Sequence, residues 1–328
     1  MPRRWSAEAG RTSPNRHFDA LGQFSRHRQF NSPIARHLML DTGTRDIGQK
    51  IANCALTIKA GIILHPELPP ETNLTAARVC NTRLCPFCEW RRTRVWRQRL
   101  YRGLSSLYEE QPTLKGVFLT LTVRNVPLDK LGDQLDEMNA SWKRLVKRSF
   151  FPTTLWFRRT EVTVGQNLAS GSFTAHPHFH CLLLVRPSYF GKNYIKQLEW
   201  QKQWMDAARL DYVPIVDVRS AKAKTADGVT SADGAKGAVM EAAKYAAKAT
   251  DLMELGPAIT ELHWQLRHRR LYALSKQLRE YVKAGEVTEA ELLDDDSKPL
   301  PPGAERIEVL AQWFEDTQDY QIVDINQP

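Results

Sequence analysis

The sequence predicts an α+β fold built on a largely antiparallel sheet. Three observations carry that expectation. Segments with strand periodicity gather between residues 116 and 220, a hairpin-type connection joins two of them, and amphipathic helices fall between the others in the order βαββαβα. The 328 residues suffice for one large or two modest domains, and an apolar share of 42% allows a sizeable core.

Residues 1–50 are Arg/His-rich and weakly periodic, expected to be partly disordered with a helix near Asn31–Leu40. Four cysteines and the Pro-rich turn "HPELPPETN" follow, and then "EWRRTRVWRQRLYRGL", a basic helix with Trp90, Val95, Trp96 and Leu100 among its arginines. "GVFLTLTV" (116–123) alternates and is rich in β-formers, as a strand requires. Leu128, Leu131, Leu135, Met138, Trp142 and Leu145 recur at helical steps, with Pro127 at the start. "LWFRRTEVTV" (155–164) is a second strand, and "GQNLASGS" connects it to a third, "TAHPHFHCLLL" (174–184). A helix over "YIKQLEWQKQWMDAARL" and a strand over "YVPIVDVRS" (212–220) come next. Residues 221–237 are compositionally uniform, a flexible insertion by that measure. "AVMEAAKYAAKATDLM" is helical by propensity, and so is 261–283. From Glu286 the charge turns acidic through Asp294, Asp295, Asp296, Glu305, Glu308, Glu315 and Asp316, which suggests a solvated, disordered tail. The expected organisation is an N-terminal segment (1–50), a cysteine and basic module (51–110), a central domain (111–255), a helical extension (256–285) and the acidic tail (286–328).

The formal charge of +9 suits an anionic partner. No apolar run reaches membrane-spanning length, the start lacks a signal core, and five cysteines do not make a secreted disulfide scaffold, so a cytoplasmic protein is expected. No G-x-x-x-x-G-K-[ST] phosphate loop occurs, so no nucleotide cofactor is expected.

Alternate residues of a strand share a face, so His176, His178 and His180 point the same way, and Pro177, Phe179 and Cys181 point the other, into a core. Imidazoles at that spacing can converge on one cation. Glu161, on the neighbouring strand, can add a carboxylate, or can pair with Arg158 or Arg159 instead. A His/His/Glu set leaves positions open, as catalytic metal sites need. On the helix "EAAKYAAK", Glu241 and Tyr245 stand one turn apart on one face, with Lys244 and Lys248 beside them. A tyrosine hydroxyl can attack phosphorus where a metal polarises the phosphate and lysines offset its charge.

In order, "FLTLTVRNV", "EVT", "HPHFHCLLLV…SYF" and "EAAKYAAK" resemble the HUH endonucleases that initiate rolling-circle plasmid replication, in the small-plasmid branch with one catalytic tyrosine and a glutamate. The resemblance spans roughly residues 80–250. It implies an antiparallel HUH palm in which His178 and His180 hold Mg²⁺ or Mn²⁺, with Glu161 or His176 as third ligand. Tyr245 would be the nucleophile, leaving a 5′-phosphotyrosine and a 3′-hydroxyl primer, and Glu241 would activate water when the cycle ends. The partners implied are single-stranded and origin DNA, a host helicase and a host DNA polymerase, with a homodimer allowed. A single-strand transposase or mobilisation relaxase shares the histidines and tyrosine. A zinc-dependent DNA-binding regulator would keep the histidine strand as a structural element only.

Cys80-x4-Cys85-x2-Cys88, with Cys54 upstream, offers four thiolates to a tetrahedral zinc, and the family resemblance includes the "RLCPFCEWRR" segment. A zinc knuckle just before the helix carrying Arg91, Arg92, Arg94, Arg97 and Arg99 reads as a rigid DNA-contact module.

Overall fold

The computed structural model describes residues 21–166, 171–221, 249–284 and 300–326. They form an α+β fold with two antiparallel sheets. Helices α1 (Gly22–Arg28), α2 (Asn31–Met39) and α3 (Arg45–Ala52) lead into strands β1 (Thr57–Leu64) and β2 (Glu71–Ala77). The long α4 (Pro86–Glu110) starts where Pro86 takes the first helical position, in which its missing N–H costs nothing. Next come β3 (Lys115–Thr122), the short β4 (Val126–Pro127), α5 (Leu131–Leu145), β5 (Trp156–Gln166), β6 (Phe173–Val185), α6 (Gln197–Ala208) and β7 (Val216–Ser220). The chain ends with α7 (Ala249–Glu254), α8 (Ile259–Leu266), β8 (Tyr272–Leu274), α9 (Lys276–Ala284), β9 (Glu305–Phe314) and β10 (Asp319–Asn326).

The central sheet has the order β7-β3-β6-β5-β8, with β4 pairing the start of β6. Period-2 alternation decides what each face meets. Odd positions of β6 send Phe179, Cys181 and Leu183 against Trp142 of α5 and Trp200 and Trp204 of α6. Even positions change character along the strand. His176, His178 and His180 come first, and then Leu182 and Leu184 pack with Phe157 under Leu100, Leu104 and Leu107 of α4 and Leu278 and Val282 of α9. Each such fully buried leucine contributes roughly 1.5–3 kcal/mol. The two helices approach closely because residue 103 is glycine: a Cβ there would sit 2.9 Å from the Val282 backbone. Among the described residues, the even face is therefore greasy where α4 and α9 cover it and polar at the histidines beyond them.

The second sheet has the order β10-β9-β1-β2. Its inner face buries Ile58, Ala60, Ile62, Val309, Ala311 and Trp313 against α1–α3. Several expectations are corrected here. Residues 305–326 are not a disordered tail: the alternation of Ile307, Val309, Ala311 and Trp313 supplies a buried face, and β9 pairs with β1 along its length. The region 261–283 is not uniformly helical, since Tyr272–Leu274 joins the central sheet beside β5. The helix expected near Asn31–Leu40 is present as α2, while α1, α3 and, in the cysteine region, β1 and β2 were unforeseen. The strand expected over 212–220 starts only at Val216. The insertion at 221–237 lies outside the described residues, apart from its first.

Candidate functional site

Strand register builds the first cluster. Glu161 on β5 lies directly opposite His178 on β6, and Arg159 lies opposite His180. On the other side, β3 sets Thr122 against His178 and Thr120 against His180. Directly opposed residues share a face. Glu161 Oε2 is 2.9 Å from His180 Nε2 and 3.7 Å from His178 Nε2. The three ligand atoms all lie within 4.8 Å of one another.

The outer nitrogens are fixed by neighbours. His178 Nδ1 lies 3.3 Å from the His176 carbonyl, and His180 Nδ1 lies 3.3 Å from Thr120 Oγ1. Such contacts orient an imidazole and leave Nε2 for a ligand. Glu161 Oε2 is buried yet accepts no well-aligned hydrogen bond. Burial opposes ionisation of Glu161, but the two imidazoles beside it outweigh that and hold its carboxyl well below the usual carboxylate range. An ionised carboxylate and two imidazole nitrogens, whose ligand atoms all lie within 4.8 Å of one another, fit a divalent cation taking the place of the Nε2–Oε2 contacts. All three side chains keep some access to solvent, so substrate can reach them.

Of the two candidate third ligands, Glu161 belongs to this group and His176 does not. His176 stands opposite Thr163, its ring 5.6 Å from that of His178. Burial, then the charge of His178, lowers its pKa. The alternative partners of Glu161 are engaged elsewhere: Arg158 bonds Asn139 Oδ1 at 2.6 Å, and Arg159 pairs with Glu89 at 3.3 Å. Tyr245, Glu241, Lys244 and Lys248 lie outside the described residues.

The second cluster is closed. Cys54 follows α3, Cys80 follows β2, Cys85 caps α4 and Cys88 lies in its first turn. Cys54 Sγ is 3.5 Å, and Cys80 Sγ 3.6 Å, from Cys88 Sγ, near the ~3.8 Å between sulfurs of a tetrahedral zinc site with 2.3 Å bonds. Ala55 and Asn81, each just after a cysteine, hold left-handed backbone (φ 54° and 56°), which turns the chain tightly at both ligands. Crowding splits the four thiols. Hydrogen bonds from Cys54 push Cys80 and Cys88 down, the bond to Cys80 pushes Cys54 up, and burial pushes Cys85 up. Cys54, Cys85 and Cys88 are buried, and this four-cysteine set is consistent with a structural metal site.

The arginines of α4 serve the chain itself to a degree their spacing did not suggest. Arg91 is buried and bonds Asn81 Oδ1 at 2.7 Å. Arg92 pairs with Glu89, and Arg94 lies over the Trp90 ring. Arg97 and Arg99 are half-buried. Glu89, next to Cys88, also reaches the fully buried Arg159, which joins the cysteine module to the histidine face. The "RR" at 158–159 was visible in the sequence, but this partner, 70 positions away, was not.

Among the described residues, no helix is long and apolar enough to cross a membrane. The model of a family described as "Replication protein" matches residues 71–321. A protein named Protein rep from Streptococcus pneumoniae serotype 2 is 33% identical over 258 residues, 75% of this chain and 76% of its own length. One of the same name from Bacillus amyloliquefaciens is 34% identical over 279 residues, 76% and 79% of the two chains. Another from a Bacillus species reaches 39% over 207 residues, 58% and 64%. No solved structure matches the chain. With the family model spanning the histidine–glutamate cluster and three of the four cysteines, the chain belongs to the Rep family of HUH-type rolling-circle plasmid replication initiators.

Proposed function

We propose that the chain starts plasmid replication by nicking one origin strand through transesterification on Tyr245. The observation that carries this reading is the convergence of Glu161, His178 and His180 on one sheet face of a Rep-family chain. Glu161, His178 and His180 would hold Mg²⁺ or Mn²⁺, which would supply Lewis-acid polarisation of the scissile phosphate. The residues do the rest. Glu161 and the two imidazoles fix where the phosphate binds, and Thr120 and the His176 carbonyl hold the rings in place. The Tyr245 oxygen attacks phosphorus, and the P–O3′ bond breaks. The phenol gives up its proton, the departing strand takes one as a 3′-hydroxyl, and the 5′-phosphate stays on the tyrosine. Lys244 and Lys248 offset the phosphate's charge. Glu241 accepts a proton from water when the linkage is hydrolysed at termination. The 3′-hydroxyl primes a host polymerase, and a host helicase opens the duplex, since the sequence holds no phosphate loop. The four-cysteine cluster binds Zn²⁺ as a fold element.

Incubation of the purified protein with labelled origin DNA and Mg²⁺ or Mn²⁺ tests the reading. The expected product is a denaturant-stable adduct on the 5′-phosphate end created at the nick, absent for Tyr245→Phe, while origin binding persists. An adduct that survives Tyr245→Phe would move the nucleophile elsewhere.

A further inference from the structure

The loop before β7 is built rigidly and still presents apolar side chains to solvent. Four hydrogen bonds pin it. The Arg124 N–H donates to Tyr212 Oη at 2.8 Å, and Gln201 of α6 donates to the Pro214 carbonyl at 3.1 Å. Thr122 Oγ1 donates to the Ile215 carbonyl at 2.8 Å, and Gln197 donates to the Val216 carbonyl at 2.7 Å. Pro214 is buried, yet Val213 is 68% and Ile215 73% exposed. Beside them the Arg124 guanidinium lies 3.7 Å from the centre of the Tyr212 ring, and its side chain is 64% exposed.

Register ties this strip to the metal centre. Leu121 pairs with Val216, and the next backbone bond, from Thr122 N to Ile215 O, carries the pairing one residue further. Glu161, His178 and Thr122 thus form one row across three strands, which Ile215, the residue just before β7, extends. Ile215 stands two strand spacings, about 10 Å, from His178. A flat cation parked on an aromatic ring, with two aliphatic side chains next to it, matches the face of a nucleobase. Asp211, 3.6 Å from Arg124 and 87% exposed, opposes a phosphate at the same spot and leaves the planar face of the guanidinium available.

We propose that Arg124, Tyr212, Val213 and Ile215 form a stacking platform for unpaired bases of the DNA strand beside the nick. This rests on the replication reading above and adds to it where the strand lies and which part of it is gripped. Bases, not phosphates, make the contact, so the platform acts only on melted DNA. It favours an extruded or single-stranded origin over duplex.

The test uses the full chain and a fluorescent single strand spanning the nick, first mapped on supercoiled origin plasmid. Mg²⁺ and Mn²⁺ are withheld so that the strand stays whole. An abasic site replacing one base beside the nick is expected to weaken wild-type binding about tenfold, within the range for one base–aromatic stack. The double variant Arg124→Ala, Ile215→Ser binds the intact strand about tenfold more weakly and is indifferent to that abasic site. Arg124→Lys keeps the charge but not the plane, and it loses most of the Arg124 contribution. Abasic penalties that are identical in wild type and double variant would overturn the platform, and a segment of the chain itself seated on the strip would give that result. Full affinity for Arg124→Lys would also overturn it, by showing a phosphate contact. Failure of the wild-type chain to nick supercoiled origin DNA would sink the replication reading. Intact nicking with an unmoved abasic profile would sink the platform alone.

Discussion

The two clusters of this chain that could hold a metal ion are opposites in construction. The four-cysteine group draws ligands from a turn, a strand exit and a helix start, and buries three of the four. The histidine–glutamate group draws all three from two neighbouring strands and leaves each partly open. A site assembled from distant segments staples those segments together. A site laid on one hairpin staples nothing that backbone pairing does not already hold, so its ligands are free to serve chemistry. Removing a ligand should therefore damage folding in the first case and activity in the second.

The largest effect is expected at the cysteines. Cys85→Ser breaks the staple, while the serine hydroxyl can still cap α4 in place of the thiol, so the loss reports the missing metal ligand. The expected outcome is insoluble protein, or a fall in melting temperature of more than about 10 °C, with zinc lost from whatever remains folded. Metal analysis and thermal unfolding check it, and zinc-free protein with wild-type stability would erase the contrast. Glu161→Gln comes next. It keeps the size and removes the charge, so nicking should fall about 100-fold, near 2.7 kcal/mol, with the melting temperature unchanged. Unfolding of this variant comparable to that of Cys85→Ser would mean that both sites are structural. The smallest effect sharpens the cysteine side. His27 stacks on Trp90, two residues past Cys88, with ring centroids 5.3 Å apart. Burial, then the charges of Arg26 and Arg94, lowers its pKa from 6.5 to about 4. The unfolded chain takes up this proton near pH 6.5 and the folded chain only near 4, so stability is lost as the pH falls through that window. His27 alone should make the fold about 2 kcal/mol less stable at pH 5 than at pH 7.5. Denaturant melts of wild type and His27→Phe across this range check the slope; parallel curves would remove the histidine's role.

The same contrast explains what could be read from the sequence. The histidine strand and Glu161 were legible because both follow from a period of two and one hairpin, which are local facts. The cysteines were legible by spacing, although the strands between them were not. β9 carried a readable alternation, Ile307, Val309, Ala311, Trp313, but Glu305, Glu308 and Glu315 dominated the charge count. Its partner, β1, lies at the other end of the chain, and no local pattern announces that. β8 is three residues long and sits between two helices, too short to break a helical pattern. The arginines of α4 were legible as charge, but their contacts within the chain were not: composition does not say which way a side chain turns, and Arg91, Arg92 and Arg94 also meet Asn81, Glu89 and Trp90.

The pairing of β1 with β9 has a consequence for synthesis. The sheet that begins at Thr57 cannot close until Glu305–Asn326 has left the ribosome. At 5–20 residues per second that is a wait of roughly 13–50 s, during which β1 presents an unpaired, apolar edge to the cell. The nuclease sheet between can pair in the meantime. The two ends then meet: Tyr320 donates to the Ala55 carbonyl at 2.6 Å, one residue from Cys54, and Ser32 donates to Glu315 at 3.0 Å. β10 thus backs the turn that carries Cys54. A chain interrupted late in translation would hold a paired histidine strand and an unfinished cysteine lobe, a ready target for proteolysis.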